Sequence, residues 1–199
     1  RVFTIPAHPR AVQSAVDAIN EADAIVLGPG SLYTSIMPNL LVPDIALAVR
    51  ECKAKKLYIC NVMTQPGETD GYTVADHVKA INRHAGAKII DFVIVNDGFI
   101  PPKMRQQYSQ AGSHPVRADQ DEIEKTGATM ITADLVNKDT GVTHDTDKLA
   151  NVLIDLINQY REGGAGRSDS IINGARLRLR PIIMTALATI FALLPMGLG

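Results

Sequence analysis

Ala24-Ile25-Val26-Leu27-Gly28-Pro29-Gly30-Ser31-Leu32-Tyr33-Thr34-Ser35 is the stretch that decides how the chain is read. A short, wholly apolar run stopped by a glycine has the mark of a buried parallel strand. The turn after it is built to hold an anion. Gly28 and Gly30 allow tight backbone approach, Pro29 fixes the chain between them, and Ser31, Thr34 and Ser35 add hydroxyls. Free backbone N–H groups beside such hydroxyls form a phosphate cradle. The segment lacks the Gly-Lys-Ser/Thr of a Walker loop and the GxGxxG dinucleotide spacing. A tight strand-to-helix turn with a capped helix is the plain alternative, and spacing leaves both open.

Outward from this stretch, helix and strand signals alternate. Before it, Ala11 to Ala22 carries Val12, Ala15, Val16 and Ile19 at helical spacing. After it come a helix from Pro43 to Lys53, a strand from Leu57 to Val62, and a helix from Thr73 to Ala85 with Thr73 as N-cap. A third apolar strand runs from Ile89 to Val95. Short helices near Arg105 and Asp121, a strand around Thr129 to Leu135 and a helix from Asp145 to Tyr160 complete the body. Val2, Phe3 and Ile5 read as part of a further strand at the start. Such alternation predicts an α/β domain with a mostly parallel sheet covered by helices on both sides. Ligands in such sheets bind beyond the carboxyl ends of the strands. That rule selects the loops after Leu27, Val62 and Val95.

The second loop, Asn61 to Gly71, is strongly polar: Asn61, Thr64, Gln65, Glu68, Thr69 and Asp70 offer donors and acceptors for a sugar or a base edge. A solvated loop is the bland reading; long polar loops set on a rigid sheet are commonly functional. Glu68 and Asp70, two apart, are more often solvated carboxylates than a metal pair. Asn96, in the third loop, sits at a strand end within Asn96-Asp97-Gly98, which equally fits a plain turn. His77 and His84 share a helix face, but no third zinc ligand lies near, so a polar or capping role is expected. No nucleophile elbow is present. Tyr108 and Thr143-His144-Asp145 are polar or aromatic positions late in the body.

Composition bounds the function. Of 199 residues, 46% are hydrophobic and 21% charged, enough for one sizeable core. A net charge of −1 gives no footprint for nucleic acid. Cys52 and Cys60 lack metal-ligand spacing and read as reduced thiols of a cytoplasmic protein. The chain opens on Arg1 without a signal peptide and reads as cut from something longer. At the far end, residues 161–173 form a linker that opens with Arg161 to Ser170. Arg176, Arg178 and Arg180 follow, and then an uncharged stretch over residues 182–199. Its length is close to the ~17–18 apolar residues that span a bilayer.

Three words carry a resemblance: ADAIVLGPGSLYTSIMPNLLVPDIALAV (22–49), CNVMTQPGETDGYTVADHV (60–78) and HDTDKLA (144–150). They resemble the YvcK-like gluconeogenesis factors, relatives of 2-phospho-L-lactate transferase, over residues 1–160, the C-terminal half of a complete member. The resemblance implies a Rossmann-like three-layer fold, here without its N-terminal half and that half's Gly-rich loop. It also implies a nucleotide-diphosphate ligand. In the YvcK branch the ligand is the nucleotide sugar UDP-N-acetylglucosamine. The protein acts there in cell shape and envelope metabolism under gluconeogenic growth, with no required cofactor. In the transferase branch a phospholactyl group passes to a deazaflavin precursor, with a divalent metal. The first and second words look like the YvcK branch.

The implied ligand-binding residues are Gly28, Gly30, Ser31, Tyr33, Thr34, Ser35, Asn39, Asn61, Thr64, Gln65, Glu68, Thr69, Asp70 and Asn96. Tyr108 joins them because it matches a family position associated with the ligand. Members of the branch usually carry Arg before the His-Asp pair, where this chain has Thr143, which removes a guanidinium able to pair with phosphate. The expected partner is a small nucleotide sugar, with a homo-oligomer allowed and a membrane involved only through the tail. That tail, GARLRLRPIIMTALATIFALLPMGLG (174–199), resembles a late membrane helix of resistance-nodulation-division efflux transporters. The expectation is a chain of two origins.

Overall fold

The computed structural model describes residues 3–5, 7–137 and 141–162. The structure separates Arg1–Leu149 from Ala150–Gly199 as two compact units. The first begins with helix α1 (Gln13–Asn20) and strand β1 (Ala24–Leu27). A single π-helical turn, Leu32–Ile36, follows and runs into the short helix α2 (Met37–Leu40). Helix α3 (Pro43–Glu51), strand β2 (Lys55–Ile59), helix α4 (Val74–Ala85) and strand β3 (Phe92–Asn96) come next. Helices α5 (Pro102–Gln110) and α6 (Gln120–Thr126) lead to strand β4 (Thr129–Ala133). A two-residue hairpin, β5 (Val136–Asn137) with β6 (Thr143–His144), precedes helix α7 (Thr146–Glu162). Helix α7 supplies the described part of the second unit.

Strands β1 to β4 lie side by side in chain order, every pairing parallel. The central pair is buried on both faces, which is why their sequences do not alternate. Tyr58, Val93 and Val95 pack with Val74, Val78 and Ile81 of α4, while Leu57, Ile59, Phe92 and Ile94 point the other way and are buried too. Local chemistry sets the helix starts. Thr73 accepts the Asp76 N–H at 3.3 Å and the Asp76 carboxylate accepts the Thr73 N–H at 3.0 Å, a capping box that opens α4. Asp119 caps α6 by accepting the Glu122 N–H at 3.0 Å.

Strand β1 matches its sequence expectation to the residue, and the other strands lie within their expected stretches to a few positions. Three features differ. Phe3 and Ile5 belong to no strand and are 74% and 89% exposed: among the described residues β1 is the edge of the sheet, and Val2 lies outside them. The turn after β1 becomes a π-helical turn and a second short helix, driven by burial of Leu32, Ile36, Met37 and Leu40. The β5–β6 hairpin carries too few residues to leave a periodic signal. The apolar helix expected over residues 174–199 lies outside the described residues. Among those described, no single helix is long and apolar enough to cross a membrane.

Candidate functional site

All four sheet strands run the same way, so the loops after Leu27, Ile59, Asn96 and Ala133 leave one edge of the sheet. The first loop is shaped by Gly28. Its φ of +95° is a conformation that side chains disfavour, and a Cβ there would stand 3.1 Å from the Ile59 carbonyl oxygen. The Gly28–Pro29 peptide is cis, and Gly30 then brings the chain to Ser31. The Ser31 carbonyl accepts the N–H groups of Ser35 and Ile36, both at 3.0 Å, and its hydroxyl accepts the Thr34 N–H at 3.2 Å. The N–H groups opening this turn, at Leu32 and Tyr33, have no intrahelical acceptor. Leu32 and Ile36 are buried and pin the turn, whereas Thr34 and Ser35 face solvent. Asn39 is exposed and donates to the Ser35 carbonyl at 2.7 Å, bracing the turn from behind. π-Helical turns of this kind gather at functional sites.

The second loop is less solvated than its composition suggests. Val62, Met63, Thr64 and Thr69 are all buried. The Thr64 hydroxyl accepts the His114 N–H at 2.9 Å, and its carbonyl accepts the Ser113 hydroxyl at 2.5 Å. The Thr69 hydroxyl accepts the Gln65 N–H at 2.9 Å, and Asp70 accepts the Gly67 N–H at 2.8 Å. Asn61 donates to the Gln65 side chain at 3.4 Å. These bonds give the loop a fixed shape, and Asn61, Gln65 and Glu68 remain only half-buried.

Two contacts bring the first and second loops together. The Ser31 hydroxyl donates to the Glu68 carboxylate. The hydroxyls of Tyr33 and Tyr72 meet at 2.8 Å, their rings edge to face. Partial burial and this bond push the Tyr33 phenol up to about 12. Tyr72 was not among the sequence candidates; an aromatic straight after Gly71, at the end of a polar loop, was the available signal.

Asn96 serves the fourth loop rather than the first. Its side-chain oxygen accepts the Leu135 N–H at 2.9 Å and the Gly98 N–H at 3.2 Å. Tyr108, on α5, accepts the Val142 N–H at 3.1 Å through its hydroxyl and packs against the apolar group of Val62, Met63, Ile100, Val136 and Val142. Both residues hold the rim of the sheet edge, and neither is in the Ser31–Glu68 or Tyr33–Tyr72 contacts. Thr143 is exposed on β6.

A buried polar group lies beneath the second loop. Tyr58 and Cys60, at the end of β2, are both buried, and burial raises both pKa values, that of Cys60 to about 12. The Tyr58 hydroxyl is near the Cys60 thiol but makes no hydrogen bond of good geometry. His77 is fully buried, stacked on Tyr58 with ring centroids 6.4 Å apart. Its Nδ1 meets the Thr73 carbonyl at 2.8 Å, so Nδ1 carries the proton and Nε2 is an acceptor without a partner. The His144 Nε2 is buried and unpartnered as well. Burial lowers both imidazole pKa values, opposed by backbone hydrogen bonds to Thr73 and Cys60 respectively. His84 meets the Ala80 carbonyl at 2.9 Å. His77, His84 and His144 are thus packed groups of the fold, and among the described residues no three His, Cys, Asp or Glu side chains gather as a metal site would require.

With this geometry in hand, comparison with known proteins decides the family. Residues 1–136 match the model of 2-phospho-L-lactate transferase CofD. The chain belongs to the CofD family. The chain is similar to gluconeogenesis factors: the one from Bacillus subtilis is 48% identical over 160 residues, covering 80% of this chain and 50% of that protein. The one from Halalkalibacterium halodurans is 40% identical over 156 residues, covering 78% of this chain and 48% of that protein. A crystal structure of a Bacillus halodurans protein superposes with a TM-score of 0.74 at 41% identity, over 77% of this chain and 50% of the other. This CofD-family chain therefore spans about a third to a half of the length of the relatives it matches. Residues 146–199 match the AcrB/AcrD/AcrF family model, in line with the transporter-like tail.

Proposed function

We propose that this CofD-family chain carries one side of a nucleotide-sugar site, with UDP-N-acetylglucosamine as ligand. Its role would be that of a cytoplasmic regulator of cell shape and envelope metabolism during gluconeogenic growth. The supporting observation is the apposition of the first and second loops at the carboxyl edge of the sheet. One loop offers the Tyr33 N–H, which has no intrahelical acceptor, with the exposed hydroxyls of Thr34 and Ser35, suited to a diphosphate. The other offers Asn61 and Gln65, suited to the hydroxyls and amide of a sugar. The gluconeogenesis-factor names of the relatives support the same reading.

A second reading has one specific support, the name of the matching family model, 2-phospho-L-lactate transferase. It calls for a divalent metal, and the side chains here do not suit one. Glu68 and Asp70 are two carboxylates on one loop, and no third ligand stands with them among the described residues.

Calorimetric titration of the chain with UDP-N-acetylglucosamine, beside an assay of phospholactyl transfer to a deazaflavin acceptor, separates the two. Saturable heat without turnover is the expected result. Turnover without heat from the sugar nucleotide would replace the first reading by the second.

A further inference from the structure

Ser31 commits its whole hydroxyl inside the protein. Its proton goes to the Glu68 carboxylate, and its oxygen accepts the Thr34 N–H at 3.2 Å. A hydroxyl has one proton to donate. While Glu68 holds it, none is left for a phosphate oxygen, so the loop that offers an anion site already has an anion against it.

The chemistry of Glu68 makes this contact exchangeable. The residue is half-buried, reaches over from the second loop 37 positions on, and its backbone is fixed by its own N–H bond to the Gln65 carbonyl at 3.0 Å. Only the side chain has to move. Carboxylate and phosphate are both acceptors, and both are negative: they compete for the Ser31 proton and repel each other if held side by side. The Tyr33–Tyr72 contact joins two neutral hydroxyls at 2.8 Å, so the loops stay together when the carboxylate leaves.

We propose that Glu68 is a ligand-displaced latch on the Gly28–Ser35 loop. In the empty protein its carboxylate stands where an anionic group of the ligand is to go, and a nucleoside diphosphate takes over Ser31 as Glu68 swings out. The proposal rests on the anion reading of that loop. A Glu68 that instead accepts a ligand hydroxyl directly would produce the opposite response to substitution, which makes the two separable.

The test is titration of the 199-residue chain and its Glu68→Gln, Glu68→Ala and Ser31→Ala variants with UDP. Unfolding midpoints confirm that each variant is folded. Removing the charge is expected to tighten UDP binding roughly threefold to tenfold in both Glu68 variants, with the gain shrinking as salt is raised. Ser31→Ala is expected to weaken binding. Equal or weaker UDP binding by both Glu68 variants overturns the latch, whatever Ser31→Ala does. Unchanged binding in Ser31→Ala overturns the loop assignment itself, and with it the latch.

Discussion

The hydroxyls of Tyr33 and Tyr72 meet at 2.8 Å across the gap between the first and second loops. One ring comes from the π-helical turn after β1 and the other from the residue before the capped start of α4. The distance between the two loops is therefore set by a bond between side chains 39 residues apart. Replacing either tyrosine by phenylalanine should cost about 0.5–1.5 kcal/mol. The double variant should cost less than the sum of the two, because both singles remove the same bond. Urea unfolding of the three variants measures this. Additive losses would mean the hydroxyls are not coupled.

Tyr33 also predicts an alkaline limit. Its folded pKa of about 12 lies above the ordinary 10, so the folded state holds the phenolic proton more tightly. That contribution is complete below pH 10 and is lost as the pH rises towards 12. Ultraviolet titration of the phenols should show Tyr33 and the buried Tyr58 both ionising late, with the Tyr33 step alone moving earlier in Tyr72→Phe, part of its rise coming from burial and remaining.

His77 and His144 predict an acid limit. Burial lowers both below the ordinary 6.5, so the unfolded chain takes up protons more readily than the folded one. Their contribution is present above pH 6.5 and is lost as the pH falls through the lower folded values. The thermal midpoint should drop on going from pH 7.5 to pH 5. A chain carrying His77→Gln and His144→Gln should be less stable at pH 7.5 but flatter across that range. An equally steep profile in the double variant would place the acid sensitivity elsewhere.

Asn96 predicts a structural rather than a ligand effect. Its side-chain oxygen satisfies the N–H groups of Leu135 and Gly98. Asn96→Ala should cost about 1–3 kcal/mol of stability by leaving these donors without their acceptor. Asn96→Asp keeps an acceptor and should lose less. Equal losses in the two variants would contradict the assignment.

Gly28 is limited by backbone on two counts, its φ of +95° and the Ile59 carbonyl 3.1 Å from where a Cβ would sit. Gly28→Ala should destabilise by about 1–3 kcal/mol and disturb the loop. A stability within error of the parent would show that the turn has another accessible conformation.

The sheet was legible because its strands are short apolar runs ended by turn residues, and β1 is the clearest of them. The capped start of α4 at Thr73 was legible for a similar local reason. Tertiary pairing was not. Phe3 and Ile5 have strand-like residue types but, among the described residues, no neighbouring strand, and composition cannot register that lack. The polar loop from Asn61 to Gly71 read as a row of equivalent donors and acceptors. Folding divides them, with Thr64 and Thr69 turned inward to fix the loop and Asn61, Gln65 and Glu68 left nearer the surface. Nothing in the local sequence marks which threonine will find Ser113 and His114, about 50 residues away. The Ser31–Glu68 contact is of the same kind, invisible until the loops are brought to one edge.

The first and second loops together are proposed as one side of a nucleotide-sugar site. The most direct measurement is amide hydrogen exchange of the chain with and without saturating UDP-N-acetylglucosamine. The account predicts slowed exchange over residues 28–36 and 61–71, with α5 and α6 unaffected. Unchanged exchange in both loops, or protection confined to other segments, would contradict it.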